Sequence, residues 1–229
     1  MLRKSLPVIG IVLLLFLLQS CAQKPEESLL KRYFHAVSLN DVTTMSTMAL
    51  EPVALEATSW KIVRASEENI NPANLPELEK MEKDYKTKLE EHVGPTVDAD
   101  DALYAAKEKL RTARTRAARS AAQREVDAAQ VKFDEEREIH RQLQKNYNEA
   151  KAAAAREEEI STFSLGAGDL PNIREMQGEV HSMEVEVKLE TETGAKNYNF
   201  WLRSYNLRDE TLGRAYRGRW IIIAIEPLS

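Results

Sequence analysis

The chain has 229 residues, of which 30% are charged and only 7% aromatic, and its net charge at neutral pH is −5. A mildly acidic balance excludes nucleic acid as the natural partner, because neutralising phosphates calls for a basic face or groove. So few aromatics argue against one large globular core and for a modest core with a long solvated element beside it. At the start of the chain, Arg3 and Lys4 precede an apolar run from Val8 to Leu18. A membrane-spanning helix needs about 20 apolar residues to cross roughly 30 Å of hydrocarbon. The run is shorter than that and has the proportions of a secretory signal.

The apolar run ends in Leu18-Gln19-Ser20-Cys21, and Cys21 is the single cysteine of the chain. This segment resembles the signal peptide of bacterial lipoproteins, which is cleaved between a small residue and the cysteine, here Ser20 and Cys21. The resemblance implies a diacylglyceryl thioether on Cys21 and a further acyl chain, such as palmitate, on its amine. Each buried methylene contributes about 0.8 kcal/mol, and two or more chains hold a protein on a membrane stably. Lipidation also accounts for a lone cysteine in an exported chain. Ala22 rather than an aspartate follows Cys21; in enteric-type bacteria this implies the periplasmic face of the outer membrane. Loss of residues 1–20 removes two cations and carries the net charge from −5 to −7.

Residues 21–27 read as a polar tether. From Ser28 as a cap, Leu29, Leu30, Tyr33, Phe34 and Val37 recur at three- and four-residue spacing and predict an amphipathic helix. Asn40-Asp41 ends it and caps a second helix with Val42, Met45, Met48 and Leu50 as its stripe, closed by Glu51-Pro52. Thr58 to Arg64, with Trp60, Ile62 and Val63, predicts a short strand, and these elements make up residues 28–66. The polar stretch Glu67 to Asn74, with Pro72, predicts a loop.

Residues 67–160 form a long helical or coiled-coil segment. Pro76 opens a helix with Leu78, Met81, Tyr85, Leu89 and Val93, which Gly94-Pro95 ends. Beyond Asp101 no Gly or Pro occurs before Gly166. Residues 101–160 therefore predict continuous helix, about 90 Å long if unbroken. Leu103, Ala106, Leu110, Ala113 and Ala117 form one seam, and Phe133, Ile139, Leu143, Tyr147 and Ala150 form another with a different phase. A helical hairpin or coiled coil with an alanine-lined stretch follows, bent near Gln123 to Gln130; a long single helix solvated on most faces fits the same residues. Within it, Arg111, Arg114, Arg116 and Arg119, with Lys107, Lys109 and Arg124, form a basic band. The band fits an anionic partner such as lipid headgroups, envelope polysaccharide or an acidic protein face, and it equally fits a solvated helix with i,i+4 pairs.

Residues 161–229 predict antiparallel sheet. Met183, Val185, Val187 and Leu189 alternate with charged residues, Thr193-Gly194 turns the chain, and Tyr198, Phe200 and Leu202 alternate with Asn199, Trp201 and Arg203. Gly213 and Gly218 bracket a loop. Arg219 to Glu226, with Ile221, Ile222, Ile223 and Ile225, predicts a strand covered on both faces at the sheet centre. The fold class expected is α+β: N-terminal helices and a C-terminal curved antiparallel sheet with a long helical insertion.

Tyr33-Phe34-His35-Ala36-Val37, Asn40-Asp41, the hairpin and Gly218-Arg219-Trp220-Ile221-Ile222 resemble the cone fold of nuclear transport factor 2 and ketosteroid isomerase, over residues 28–65 and 160–227. The resemblance implies helices packed into the concave side of a curved sheet, with a pocket whose candidate lining is Tyr33, His35, Trp201 and Arg203. Enzymes on this cone place an acid or base in that pocket. The histidines His35, His92, His140 and His181 show no partner at informative spacing, and no Cys/His cluster has metal spacing. The sequence thus points to no catalytic set, metal or cofactor.

The reading these features favour is a non-catalytic, lipid-anchored envelope protein, a binding or scaffold module. Residues 75–160 would contact a protein or envelope polymer, and the membrane would be met through Cys21. A small-molecule binder or enzyme using the cone pocket is one alternative, and a self-assembling envelope protein that forms homo-oligomers through the arm is another.

Overall fold

Two long strands with alternating apolar residues organise the molecule, which the computed structural model describes over residues 24–166, 170 and 172–228. Strands β3 (Gln177–Thr191) and β4 (Gly194–Asp209) form a hairpin with Glu192-Thr193 at its tip, so Gly194 opens the returning strand and does not sit in the turn. Their register runs unbroken from Gln177 opposite Arg208 to Thr191 opposite Gly194. Short strands β1 (Ser59–Ala65) and β2 (Asn69–Pro72) share the outer edge of β3, while β5 (Arg214–Arg217) and β6 (Ile221–Leu228) share that of β4. All these pairs are antiparallel and the sheet is curled, so the class is α+β with a long helical hairpin.

Burial along the two long strands changes parity halfway. Met183, Val185, Val187 and Leu189 face one side of β3, but Val180 is buried from the other; on β4, Phe200 and Leu202 give way to Tyr205 and Leu207. Side chains alternate between faces, and no bulge interrupts this register, so the switch moves the core from one face to the other. Each face is therefore covered over a different half of the sheet. Neighbouring Ile221 and Ile222 in β6 serve one core each, so both faces are covered at its start, but the strand expected at the sheet centre lies at the edge, paired along its length with β4 alone and increasingly exposed towards Leu228.

The first face is covered by α1 (Pro25–Ser38) and the single turn α2 (Val42–Ser46). Proline suits the first helical position because its missing N–H would be unpaired there, and α1 starts at Pro25, within the expected tether. Leu29, Leu30, Tyr33, Phe34 and Val37 are buried against β3 and β4, each large apolar side chain contributing about 1.5–3 kcal/mol. Asp41 caps α2 by accepting from the Thr44 amide at 3.0 Å. The helix expected to reach Leu50 stops at Ser46, because the backbone of Met48 and Leu50 bonds Ile222 of β6 at 2.8 and 2.9 Å.

The second face is covered by the root of the helical arm. Helices α3 (Leu75–Glu91) and α4 (Val93–Thr112) run out and α5 (Arg116–Leu165), 50 residues and about 75 Å long, runs back. Only His92 separates α3 from α4, so Gly94-Pro95 lie in the first turn of α4 and do not end in a loop. The expected continuous helix over 101–160 is broken at Ala113–Thr115, and α5 passes unbroken through the expected bend at Gln123 to Gln130. Thr115 makes this turn without Gly or Pro: its hydroxyl accepts from the Ala118 amide at 3.1 Å and caps α5. Ala99, Leu103 and Ala106 of α4 and Ala122, Ala150 and Ala154 of α5 are the buried seam residues, while Ala117 and Ile139 stay exposed.

Strands β2 and β5 occupy segments expected as loops. Both are short edge strands of mostly exposed residues, so they carry no apolar alternation to read. No helix among the described residues is long and apolar enough to cross a membrane. The last turn of α5 meets the step into β6: Ser164 donates to the Arg219 carbonyl at 2.7 Å, and the Gly218 amide donates to the Tyr205 carbonyl at 2.6 Å. A Cβ on Gly218 would strike Ser164 Oγ and stand 2.8 Å from the Tyr205 carbonyl oxygen. Gly218→Ala is expected to cost about 2 kcal/mol and lower the Tm by about 4–8 °C in a thermal melt. Gly94→Ala, whose added Cβ meets nothing within 4 Å in α4, should leave the Tm unchanged or raise it.

Candidate functional site

The residues expected to line one pocket stand on opposite faces of the sheet. Tyr33 lies fully buried in the first core, its hydroxyl donating to the Val53 carbonyl and accepting from the Val53 amide, both at 3.0 Å. His35 is exposed, beside an open trough of about 490 Å³ between α1 and β1 that stacked Phe34 and Trp60 floor. Trp201 and Arg203 alternate with Phe200 and Leu202 and so face the other way; Trp201 donates to Glu226 at 3.2 Å. Ser20 and Cys21 lie outside the described residues.

What the second face holds is a socket for the arm. The buried Tyr205 hydroxyl donates to Glu157 Oε1 at 2.8 Å, and Arg203 donates to Glu157 Oε2 at 3.1 Å and to the Tyr205 oxygen at 3.2 Å. Glu157 belongs to α5, so one carboxylate ties the arm to the centre of the sheet. Burial pushes the Tyr205 phenol well above its ordinary range and the Glu157 charge adds to this, with Arg203 opposing both. At the other side of the arm's root, Arg174 donates to Glu158 of α5 at 2.7 Å and to Glu79 and Glu82 of α3 at 3.1 and 2.7 Å. Partial burial works against this guanidinium, and the bonds to Glu158, Glu79 and Glu82 outweigh it and hold it charged. Arg174 lies in a single 3-10 turn, Ile173–Glu175, so the arrangement binds three helical turns and the sheet into one joint.

The basic band folds into the far end of the arm. Arg111 donates twice to Glu108 Oε2, at 2.8 and 3.0 Å, Lys109 pairs with Glu125 at 2.9 Å, and Arg119 donates to the Ala113 carbonyl at 3.1 Å. Among the described residues no carboxylate stands within ion-pair distance of Lys107, Arg114, Arg116, Arg119 or Arg124. Chemically this end offers guanidinium groups to an anion.

Of the remaining histidines, His181 and His92 have partners far away in sequence, whereas His140 Nδ1 is buried with no hydrogen-bond partner among the described residues. His181 bonds Glu68 at 2.6 Å and Asn206 at 2.8 Å; His92 pairs with Glu136 at 3.0 Å inside the arm, and its ring lies 6.0 Å from that of His140. No group of three or more His, Cys, Asp or Glu positioned for a metal ion occurs among the described residues. Glu157, Arg174 and Glu68 carry no signal in the sequence, since each is an ordinary charged residue beside others and only the fold supplies its partner.

Glu157→Ala is expected to destabilise the protein by about 2 kcal/mol at pH 7, since it strands the Tyr205 hydroxyl and the partly solvated Arg203. The phenols of Tyr205 and Tyr33 are both held above their ordinary range, foremost by burial. Their stabilising contribution is therefore complete below about pH 10, where an unfolded tyrosine ionises, and is lost as pH rises through the folded values. Urea melts should show stability falling above about pH 10, and Tyr205→Phe should make that fall shallower. Compared with protein-family models, with curated proteins and with solved structures, the chain gives no significant match.

Proposed function

We propose that this chain is a lipid-anchored protein of the bacterial cell envelope, held through Cys21 at the periplasmic face of the outer membrane. Its role on this reading is that of a non-catalytic binding or scaffold module, which carries its contact surface on the helical arm. The observation that supports it most is the way the arm is mounted. A 50-residue helix paired with two others leaves the sheet from a joint of buried hydrogen bonds and ion pairs, and its outer part serves no core. Such a projection costs about 1–2 kcal/mol of backbone entropy per ordered residue, while its alanine seam buries little area in return. A function at a distance explains a rigid arm better than stability does.

The anchor is tested with Cys21→Ser in cells, where the protein is expected to leave the membrane fraction and appear as a soluble export. Retention in the membrane fraction would remove the lipid from the reading. The arm is tested by removing residues 93–139, which lie beyond the root, and closing α3 onto α5 with a short Gly-Ser linker. The shortened chain should keep its sheet, judged by circular dichroism, and its membrane location, but lose the crosslinks that the full chain forms in intact cells. Unchanged crosslinks would show that the arm is not the contact surface.

A further inference from the structure

The arm is electrically polarised along its length. From Lys107 to Glu125, the tip, seven Lys and Arg side chains stand against two Glu. Behind the tip the balance reverses: residues 75–106 hold nine Asp and Glu against four Lys, and residues 126–159 hold nine against six Lys and Arg. The tip is thus a cationic cap on an acidic shaft in an acidic protein. Half of the shaft's ten cations are paired, as Lys83 with Glu79, Arg141 with Glu138 and Arg156 with Glu159, whereas five of the seven at the tip have no carboxylate partner among the described residues.

Lys109, Arg111 and Arg119 serve the turn through Glu125, Glu108 and the Ala113 carbonyl, but Lys107, Arg114, Arg116 and Arg124 have no carboxylate partner among the described residues. Arg116 and Arg119 occupy the opening turn of α5, the positive end of the helix dipole, where acidic side chains are the stabilising choice and none is present. We propose that the tip docks end-on against an anionic phospholipid surface. This rests on the reading of the arm as the contact surface and names what it contacts. Guanidinium groups pair with phosphate oxygens bidentately, which suits a headgroup layer. From Lys107 to Glu125 the exposed apolar side chains are small, Ala117, Ala118 and Ala121, with Leu110 half-buried and Tyr104 exposed one turn before Lys107, so the tip offers little of the aromatic and aliphatic cluster on which protein–protein contacts concentrate their energy. An acidic shaft is repelled by the plane that attracts the tip, so the arm stands upright on the surface instead of lying along it.

The test uses the chain from Ala22 to Ser229, which keeps every described residue and dispenses with the apolar signal. It is expected to co-sediment with phosphatidylcholine vesicles containing about a third phosphatidylglycerol, to be released as salt is raised to about 0.5 M, and to ignore pure phosphatidylcholine. Replacing Lys107, Arg114 and Arg116 together with alanine should weaken binding about a hundredfold, at roughly tenfold or less per surface cation. Circular dichroism would verify that this variant is folded, and the same treatment of the shaft cations Lys80, Lys132 and Arg137 should change binding little. The geometry has its own readout. Trp60, Trp201 and Trp220, the three tryptophans, are all in the sheet domain, about 60 Å from the tip along α5. Bound protein should therefore show no energy transfer from tryptophan to a dansyl-labelled lipid. Equal binding to neutral vesicles, unaltered binding by the tip variant, strong energy transfer, or binding to immobilised polyphosphate without binding to vesicles would each overturn the proposal. If vesicles are ignored while the arm-shortened chain still loses its crosslinks in cells, the phospholipid assignment falls and the arm reading stands.

Discussion

The structure depends on the docking of the last turns of α5 against the second face of the sheet. Without it, Val180, Tyr205, Leu207 and Ile221 would lie open on one face of a sheet whose other face already serves α1. The hydrophobic contribution there is modest and non-directional, so on its own it would let a long helix pivot. Orientation comes from the polar contacts around it. Glu157 accepts from both Tyr205 and Arg203, and Arg174 bridges α5 to α3; each of these groups is expensive to leave unpaired away from water. Rotation of α5 about its axis would break the first set, and sliding along α3 would break the second.

That joint also explains why the core is divided between two faces. A sheet with one covered face needs one set of alternating apolar residues; this one must bury α1 at one end and α5 at the other. The parity switch between Val180 and Met183, and between Leu202 and Tyr205, achieves this with no bulge in the hairpin. The two cores meet at β6, where Ile221 and Ile222 back onto each other through the sheet. Disturbance of α5's root is therefore transmitted to the sheet centre through one strand. At Gly218, just before it, an added Cβ would meet both Ser164 of α5 and the Tyr205 backbone of β4.

Much of this was legible in the residues, and the failures have physical causes. Periodicity marks α1, the long helices, β1 and the β3–β4 hairpin, because each buries one face of a regular element. It is silent on β2 and β5, which lie at sheet edges with both faces wet, and on the early end of α2, which a backbone bridge to Ile222 decides. The turn at Ala113–Thr115 carries no Gly or Pro; helix pairing against Ala122 and a threonine cap determine it. The grouping of Tyr33 and His35 with Trp201 and Arg203 fails on a rule available from the start. Trp201 and Arg203 alternate with Phe200 and Leu202, and whatever faces α1 excludes its immediate neighbours. The carboxylate partner of Arg203 was beyond reach, since Glu157 lies 46 residues away and only the docked arm brings it there.

The start of α1 gives the arm's rigidity a further meaning. Helix α1 begins at Pro25, four residues after Cys21, and four residues of even fully extended chain span at most about 14 Å. On the proposed anchor the sheet domain is therefore held close to its own membrane, with little slack to let it turn over. From α1 the connection to the tip runs through the first core, the sheet, the Glu157 and Arg174 contacts and α5, all of them packed elements. A long flexible linker in any of these places would let the tip sample a hemisphere and would make a polarised arm pointless. The direction of the tip is thereby fixed relative to the sheet domain. A cationic cap on an acidic shaft then keeps a defined direction relative to the domain that α1 opens.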